Sequence, residues 1–437
     1  MSLYQKLFYT DFTKQLCSDE ASVQRMVSVE VALVKAQAKQ GIIPGSVAES
    51  LLKSMAQVDV NMEALKAAIP LTGNAAAPLV KQIVAAVKAN KPEDAKYIHL
   101  GATSQDIVDT ATAFKINKFL SWVNKKIDHL EVALTDLTKT HRSTVMAGRT
   151  LMQQARPITF GLKTAGWLQS IRAARNTLKA AEEQVLHVQL GGAVGSRNEY
   201  LTKAVRSAVA AELGLGDALA WHTQRVGVAA FASALGVLCG TLAKMANDVV
   251  LLSQTEVGEV FEPAADGRGT SSTMPHKRNP VLSTGILANA HRVPFLVATI
   301  LAAMPHEHER SAGRWHAEWE ALDDIIGLGG GALVQCLVVM QGLEVNTGRM
   351  LQNIDLTQGL VFAETVSLAL AETQGKQTAH SIVKTACQQA IASGKHLQAV
   401  LEDMDLPFTP TELDQFFRPE LAIGASQEII DETLSAT

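Results

Sequence analysis

Only four cysteines occur in 437 residues, at Cys17, Cys239, Cys336 and Cys387, and no two of them share CxxC spacing. This excludes a disulfide-framed fold and a cysteine zinc site, and the thiols are expected to be reduced and buried. Aromatic residues make up only 5%, and Gly (30) and Pro (13) are not abundant for this length. A chain poor in turn formers and in strand-forming aromatics leans towards helix. Basic charge is not in excess: the net charge is -4, the pI is about 6.3, and the longest basic run is His276-Lys277-Arg278. A nucleic-acid partner, which needs a basic face, is therefore not expected. The first twenty residues hold Lys6, Asp11, Lys14, Asp19 and Glu20 with no long apolar run between them. No signal peptide is read there, and a cytoplasmic location is expected.

Hydrophobic residues reach 47% and charged residues 19%, which excludes intrinsic disorder and leaves material for a large core. Two uncharged stretches, Val226 to Ala243 and Ile325 to Leu343, are long enough to span a membrane. Both contain Gly and Ser, Thr or Gln. They are expected to be helices buried on all sides inside a soluble bundle, with no membrane partner.

Helical periodicity starts early. Ser18 followed by Asp19 and Glu20 predicts an N-cap, and Val23, Met26, Val27, Val31 and Val34 follow at helical spacing until Gly41 and Pro44. Shorter helices are predicted over 48–56 and 62–69, ended by Pro70 and Gly73. Long helices are predicted over 110–140, 157–190 (with Pro157 in its first turn), 223–255, 280–303 and 310–351, and a shorter one over 200–213. Beyond Leu360, Gly375, Gly394, Pro407 and Pro410 punctuate shorter helices. The expected fold is all-α with essentially no sheet. Three parts are expected: an N-terminal helical domain (1–103), a central long-helix bundle (104–352) and a C-terminal helical domain (353–437).

Four breaks hold residues suited to chemistry: Leu71 to Asn74, His99 to Asp106, Gly148 to Pro157, and Gly267 to Pro280. The first two place Thr, Ser or Asn before a helix, which suits either simple capping or a carboxylate site. The last combines two serines, a lysine and an asparagine on a glycine-flanked loop. That set either stabilises an oxyanion or carbanion or is a solvated basic tip. His306, Glu307, His308 and Glu309 are not an HExxH pattern, and residues i and i+2 diverge on a helix, so no metal is expected. Gly191 to Gly195 lacks a preceding strand and a following Lys, and reads as a turn.

The run Ser271-Ser272-Thr273-Met274-Pro275-His276-Lys277-Arg278-Asn279-Pro280 resembles the signature loop of the fumarase/aspartase superfamily, and the other loops follow in that superfamily's order. The resemblance implies an all-helical homotetramer with a twenty-helix core and active sites shared between subunits, without cofactor or metal. It implies Ser271 as the carbon acid/base and Lys277 and Asn279 as holders of the substrate carboxylate. It implies Asn74, Thr103, Ser104 and Gln153 as substrate contacts. Arg314 and His316 are added from the string that follows Glu307. Arg149, Arg268 and Arg310 are further candidates for neutralising substrate charge, and His141 is a candidate polar contact.

Two positions depart from the superfamily's elimination enzymes. Leu151 stands where they carry His, and Thr284 where they carry its partner Glu. That dyad helps a poor leaving group, whereas a carboxylate needs no protonation at pH 7. The expected reaction is therefore addition of a carboxylate to a carbon–carbon double bond of the same conjugated tricarboxylate, a lactonisation. An adenylosuccinate lyase-like elimination and an inactive structural relative are the alternatives.

Overall fold

A computed structural model describes residues 3–436, with eighteen α-helices among them. The chain divides into two compact units. One comprises residues 1–126, 174–240 and 288–334, and the other 127–173, 241–287 and 335–437. The boundary falls inside each of five long helices: Ser104–Thr140, Phe160–Val185, Val226–Leu252, Val281–Ala303 and Arg314–Gln341.

In the first unit Ser18 caps the Asp19–Lys39 helix, its side chain accepting from the Ala21 N–H. The helix buries Val23, Met26, Val29, Leu33 and Val34 against Leu51, Leu65, Leu79, Ile83, Ile107 and Val205. The Met62–Thr72 helix runs past Pro70. A proline removes a single N–H, and the last turn is closed by the Thr72 hydroxyl on Ala68 O (3.1 Å) and by Gly73 at φ 73°. A second contact region is built on glycine. A Cβ at Gly331 would lie 1.8 Å from Phe8 O, and one at Gly330 2.6 Å from the Thr13 methyl. The N-terminal segment thus rests directly on the Arg314–Gln341 backbone. Gly331→Ala is expected to cost about 1–3 kcal/mol through forced backbone displacement, measured by thermal melting beside Gly348→Ala, where a Cβ meets nothing closer than 3.8 Å.

The second unit carries the tail helices Ala363–Gln374, Lys376–Ser393, Leu397–Glu402 and Pro410–Phe416 around Leu370, Val383, Leu397, Leu401 and Leu413. Thr409 and Glu412 form a reciprocal capping box, with Pro410 in the first turn.

The expectation of essentially no sheet needs a local correction. Val145–Thr150 and Gln153–Thr159 form an antiparallel hairpin, and Val260–Phe261 pairs with Glu344–Val345. Pro157 lies in the second hairpin strand, and the helix predicted from it begins at Phe160. The helix predicted over 310–351 is two, Arg314–Gln341 and Thr347–Asp355. Cys239 and Cys336 are buried and Cys17 and Cys387 half-buried; all four are free thiols.

Three helices, Val226–Leu252, Val281–Ala303 and Arg314–Gln341, are long and apolar enough to cross a membrane. Of the two stretches expected to be buried on all sides, 325–343 is buried over most of its length, whereas on 226–243 Val226 and Val237 are 57% and 50% exposed in the single chain.

Candidate active site

In the first unit several loops are tied to one another by hydrogen bonds. The Ser104–Thr140 helix starts immediately after the His99 to Thr103 turn. Asp106, fully buried, organises this start. Its carboxylate accepts from the N–H groups of Thr103 (3.0 Å), Gly191 (2.9 Å) and Gly192 (2.9 Å), from Gln189 Nε2 (3.2 Å) and from His222 Nε2 (2.9 Å). The glycine turn read at 191–195 is thereby fixed to the loop that carries Thr103 and Ser104. Gly101 sits at φ 77°, and a Cβ there would lie 2.6 Å from Asn198 Oδ1, so only glycine fits.

The His99 ring is held from below. Its Nδ1–H donates to Glu30 (2.6 Å), whose carboxylate is fully buried, and Gln37 Nε2 donates to Leu100 O (2.8 Å). Burial lowers the His99 pKa, but the hydrogen bond and charge of Glu30 outweigh it and the net shift is upward. A raised folded pKa means that the pair's stabilisation is fully present below the unfolded value of about 6.5 and is lost as pH rises through the higher folded value. Wild-type stability is therefore expected to decline as pH rises from about 6.5 through the raised folded value, and His99→Gln to flatten that decline in pH-dependent urea melts.

Asn74 lies in the neighbouring loop, its Oδ1 accepting from the Ala77 N–H (3.1 Å) at the start of the Ala76–Asn90 helix. His316 joins it, with Nε2–H donating to Gly73 O (3.0 Å). Arg310 donates to the Thr103 hydroxyl (2.5 Å). The structure thus brings Asn74 beside His316 and Thr103 beside Arg310. Arg314 is turned to Glu307 (3.2 Å) and Pro305 O, and Ser311 Oγ and the Ala312 N–H hold the Glu307 carboxyl down at about 2. His306 Nε2 lies 3.3 Å from Glu318 and its Nδ1 3.3 Å from His222 O. Among the described residues no group of three or more His, Cys, Asp or Glu is placed to hold a metal ion.

The second unit carries Ser271, Lys277, Asn279 and Gln153. The stem of the 267–280 loop is tied down. Asn279 donates from N (2.9 Å) and Nδ2 (3.1 Å) to Gly269 O, and a Cβ on Gly269 would lie 2.4 Å from Asn279 O. Arg278 forks onto Glu344 with two bonds of 2.8 Å. Glu262, 7% exposed, caps the following helix by accepting from the N–H groups of Leu282 and Ser283. The tip is exposed from Ser272 to Arg278. There Ser271 Oγ accepts from the N–H groups of Met274 (3.0 Å) and Thr273 (3.3 Å). The Lys277 ammonium is exposed, and no carboxylate pairs with it among the described residues.

Gln153 stands exposed at the hairpin turn, paired with Thr150. The turn residues Leu151 (φ 48°) and Met152 (φ 66°) are both left-handed, and Leu151 is 96% exposed. Thr284 sends its hydroxyl back to Pro280 O (2.8 Å). Arg149 is not a free cation. It forks onto the fully buried Glu259 at 2.9 and 2.6 Å, and Asn353 holds the same carboxylate. Arg268 donates to Pro263 O. His141 bonds Thr144 Oγ1 at 3.1 Å, and burial lowers its pKa.

Three features escaped sequence reasoning: the Asp106 hub, the Glu262 cap, and a buried group of Arg225, Asp109 and Glu318. Apart from the bond of Asp106 to Thr103, the partners named lie 20 to 116 positions away in sequence, so no spacing could reveal them. Asp106 alone had a local signal, its bond to the Thr103 N–H three residues back.

A helical lyase fold, with an exposed Ser-Lys-Asn loop in one unit and helix-start polar loops in the other, defines the class. The Lyase family profile matches residues 5–294 and that of the adenylosuccinate lyase C-terminus matches 359–433; the chain belongs to this lyase family, of fumarase/aspartase type. It is 44% identical to 3-carboxy-cis,cis-muconate cycloisomerase of Acinetobacter baylyi, over 99% of this chain and 98% of that one. To the enzyme of the same name from Pseudomonas aeruginosa it is 40% identical, over 99% and 96%. The crystal structure of beta-carboxy-cis,cis-muconate cycloisomerase from Acinetobacter calcoaceticus superposes with a TM-score of 0.93 at 41% identity, covering 100% of both chains.

Proposed function

We infer that the chain is a cycloisomerase that converts 3-carboxy-cis,cis-muconate to 4-carboxymuconolactone, an intramolecular lyase of aromatic-acid catabolism by the beta-ketoadipate route. The observation that carries this reading, beside the full-length similarity, is the pairing of an intact Ser271-Lys277-Asn279 loop with a vacated acid dyad. Leu151 points no polar atom anywhere, and the Thr284 hydroxyl is spent on its own helix. A dyad that serves a poor leaving group is missing, and a carboxylate nucleophile does not need one.

In the proposed mechanism one substrate carboxylate attacks the far alkene carbon. The C–O bond forms as the π bond opens, and the electron pair moves into the acceptor carboxylate as an enolate-like dianion. Lys277 supplies the uncompensated cation for that charge, with Asn279 as an amide donor released from Gly269 or as the stem that sets the loop. Ser271 donates its proton to the carbon. The alkoxide left behind already faces the N–H groups of Met274 and Thr273, whose bonds to Oγ strengthen as it gains charge. Asn74, Thr103, Ser104, Gln153, Arg314 and His316 hold the remaining carboxylates. Among the arginines, Arg310 is better supported than Arg149, because it donates to the Thr103 hydroxyl whereas Arg149 is neutralised by Glu259. The trianionic substrate becomes a dianionic lactone, so one proton is taken up from solvent per turnover.

The exposed apolar faces of Val226–Leu252 and Val281–Ala303 suit burial against further copies of the chain, and a cytoplasmic homotetramer with shared active sites is the assembly proposed. The three-part division at 103/104 and 352/353 is kept as a proposal for the domains. The test is ultraviolet absorbance of 3-carboxy-cis,cis-muconate with purified protein, with and without EDTA. Loss of the diene band with uptake of one proton supports the reading. An inert diene together with turnover of adenylosuccinate would transfer the chain to the elimination branch, and no turnover of either would leave a structural relative.

A further inference from the structure

The 267–280 loop is fastened by one carboxylate to a strand outside it. Glu344 lies on the short strand Glu344–Val345, which pairs with Val260–Phe261 where the chain enters the loop. Its carboxylate holds both legs. Oε1 accepts from the Ala264 N–H (3.2 Å) on the entry leg, and both oxygens accept from the Arg278 guanidinium (2.8 Å each) on the exit leg. The same guanidinium donates to Glu262 O (2.9 Å) and lies 5.4 Å from the centre of the Phe261 ring. Glu262 gives Arg278 only this backbone oxygen, since its carboxylate is committed to the N–H groups of Leu282 and Ser283. The fork from Arg278 lowers the Glu344 pKa, and the same bonds raise that of Arg278, so both partners favour the charged form.

From this clasp a run of bonds leads to the groups proposed to react. Arg278 stands between Lys277 and Asn279, and neighbouring Cα atoms are only about 3.8 Å apart. The Lys277 N–H donates to Met274 O (3.0 Å), and the Met274 N–H donates to Ser271 Oγ (3.0 Å). Asn279 closes the ring onto Gly269 O (2.9 and 3.1 Å). Those bonds join the loop to itself, whereas the bonds to Glu344 join it to the strand. The Arg278 and Glu344 side chains are 46% and 44% exposed. A half-exposed ion pair adds little to global stability. What this pair contributes is position, and a reacting group displaced by about 1 Å can lose about 10²-fold in rate.

We propose that Glu344 is a positioning residue of the reaction: it seats Arg278, and through Arg278 the loop that sets Lys277, Asn279 and Ser271. The effect on rate rests on the cycloisomerase reading, whereas the clasp itself does not.

The test combines steady-state kinetics on 3-carboxy-cis,cis-muconate with hydrogen exchange of the full chain, read by mass spectrometry. Glu344→Ala is expected to lower kcat by about 10–10²-fold, to melt near the wild-type temperature and to exchange faster over residues 264–279. Glu344→Gln keeps an acceptor for the Ala264 N–H but loses the charge, and should fall between the two. It carries the same readouts should Glu344→Ala fail to fold. Arg278→Lys keeps the charge but not the fork, and should lose nearly as much as Glu344→Ala. In a Ser271→Ala background Glu344→Ala should cost less than it does in wild type, because one group that it positions is gone. A merely structural loss would multiply instead. Three results would each overturn the proposal: kcat of Glu344→Ala within about twofold of wild type, a loss that multiplies fully with Ser271→Ala, or unchanged exchange over 264–279. If wild type turns over no 3-carboxy-cis,cis-muconate, exchange decides alone. Faster exchange in Glu344→Ala then keeps the clasp and drops the functional reading, and unchanged exchange drops both.

Discussion

Ser271→Ala is expected to lower kcat by about 10²–10³ with KM nearly unchanged, the pattern of a group needed only as the transition state is crossed. The magnitude follows from what the hydroxyl supplies: the proton that ends the enolate-like dianion, delivered from an oxygen already seated on two N–H groups. The fold should not suffer. Thr273 and Met274 are exposed, so water replaces Oγ as acceptor for their N–H groups, and an exposed loop substitution costs little. Thermal melting of the variant should thus match wild type, which separates a chemical loss from a structural one. In deuterated water the wild type is expected to place one deuterium on the protonated carbon, on a single face. A variant that does so at the wild-type rate would remove Ser271 as the donor while keeping the reaction.

How far the sequence foretold this site depends on the distance over which each feature is encoded. The Ser18 cap and the long apolar helices are local patterns legible from spacing, whereas the equally local Thr409–Glu412 box was passed over for Pro410 beside it. The Ser271 loop was legible as a motif, with Arg278 and Asn279 inside it, but their partners Glu344 and Gly269 were not. The hairpin was missed because its turn is built from Leu151 and Met152. Left-handed turn positions ordinarily announce themselves through Asn or Gly, and the bulge between Ala147 and Arg149 breaks the alternation that marks a strand. Pro157 was misread for a related reason, since a proline suits the open edge of a two-stranded ribbon as well as a first helical turn. Arg149 carried no mark of its bond to Glu259, 110 residues away. Pairings of that range come from the fold and not from any window of sequence.

Arg225→Leu is expected to destabilise the protein by about 3–5 kcal/mol, although it removes only one side chain. Arg225 is 3% exposed and binds Asp109 (2.8 and 3.2 Å) and Glu318 (3.0, 3.1 and 2.5 Å), each 2% exposed. Gln105 Nε2 and Trp315 Nε1 add neutral donors to Asp109. His306 Nε2 lies 3.3 Å from Glu318, and in the intact protein burial first and the Arg225 charge second lower its pKa. Without the guanidinium two buried carboxylates are left with the donors that remain on Asp109, Gln105 Nε2 and Trp315 Nε1. The exposed pair Lys35–Glu212 has a comparable contact of 2.6 Å, yet Lys35→Ala is expected to cost under about 1 kcal/mol, because water solvates whichever charge is left. The contrast is readable in parallel urea melts. Adding Asp109→Asn and Glu318→Gln to Arg225→Leu should recover part of the loss, since the penalty resides in uncompensated charge and not in the missing arginine. A single variant no less stable than Lys35→Ala would mean that water reaches these carboxylates. Because Trp315 and Glu318 flank His316 on one helix, loosening this network should also raise KM more than it lowers kcat. That split is expected when a binding group is misplaced and the proton donor is left intact.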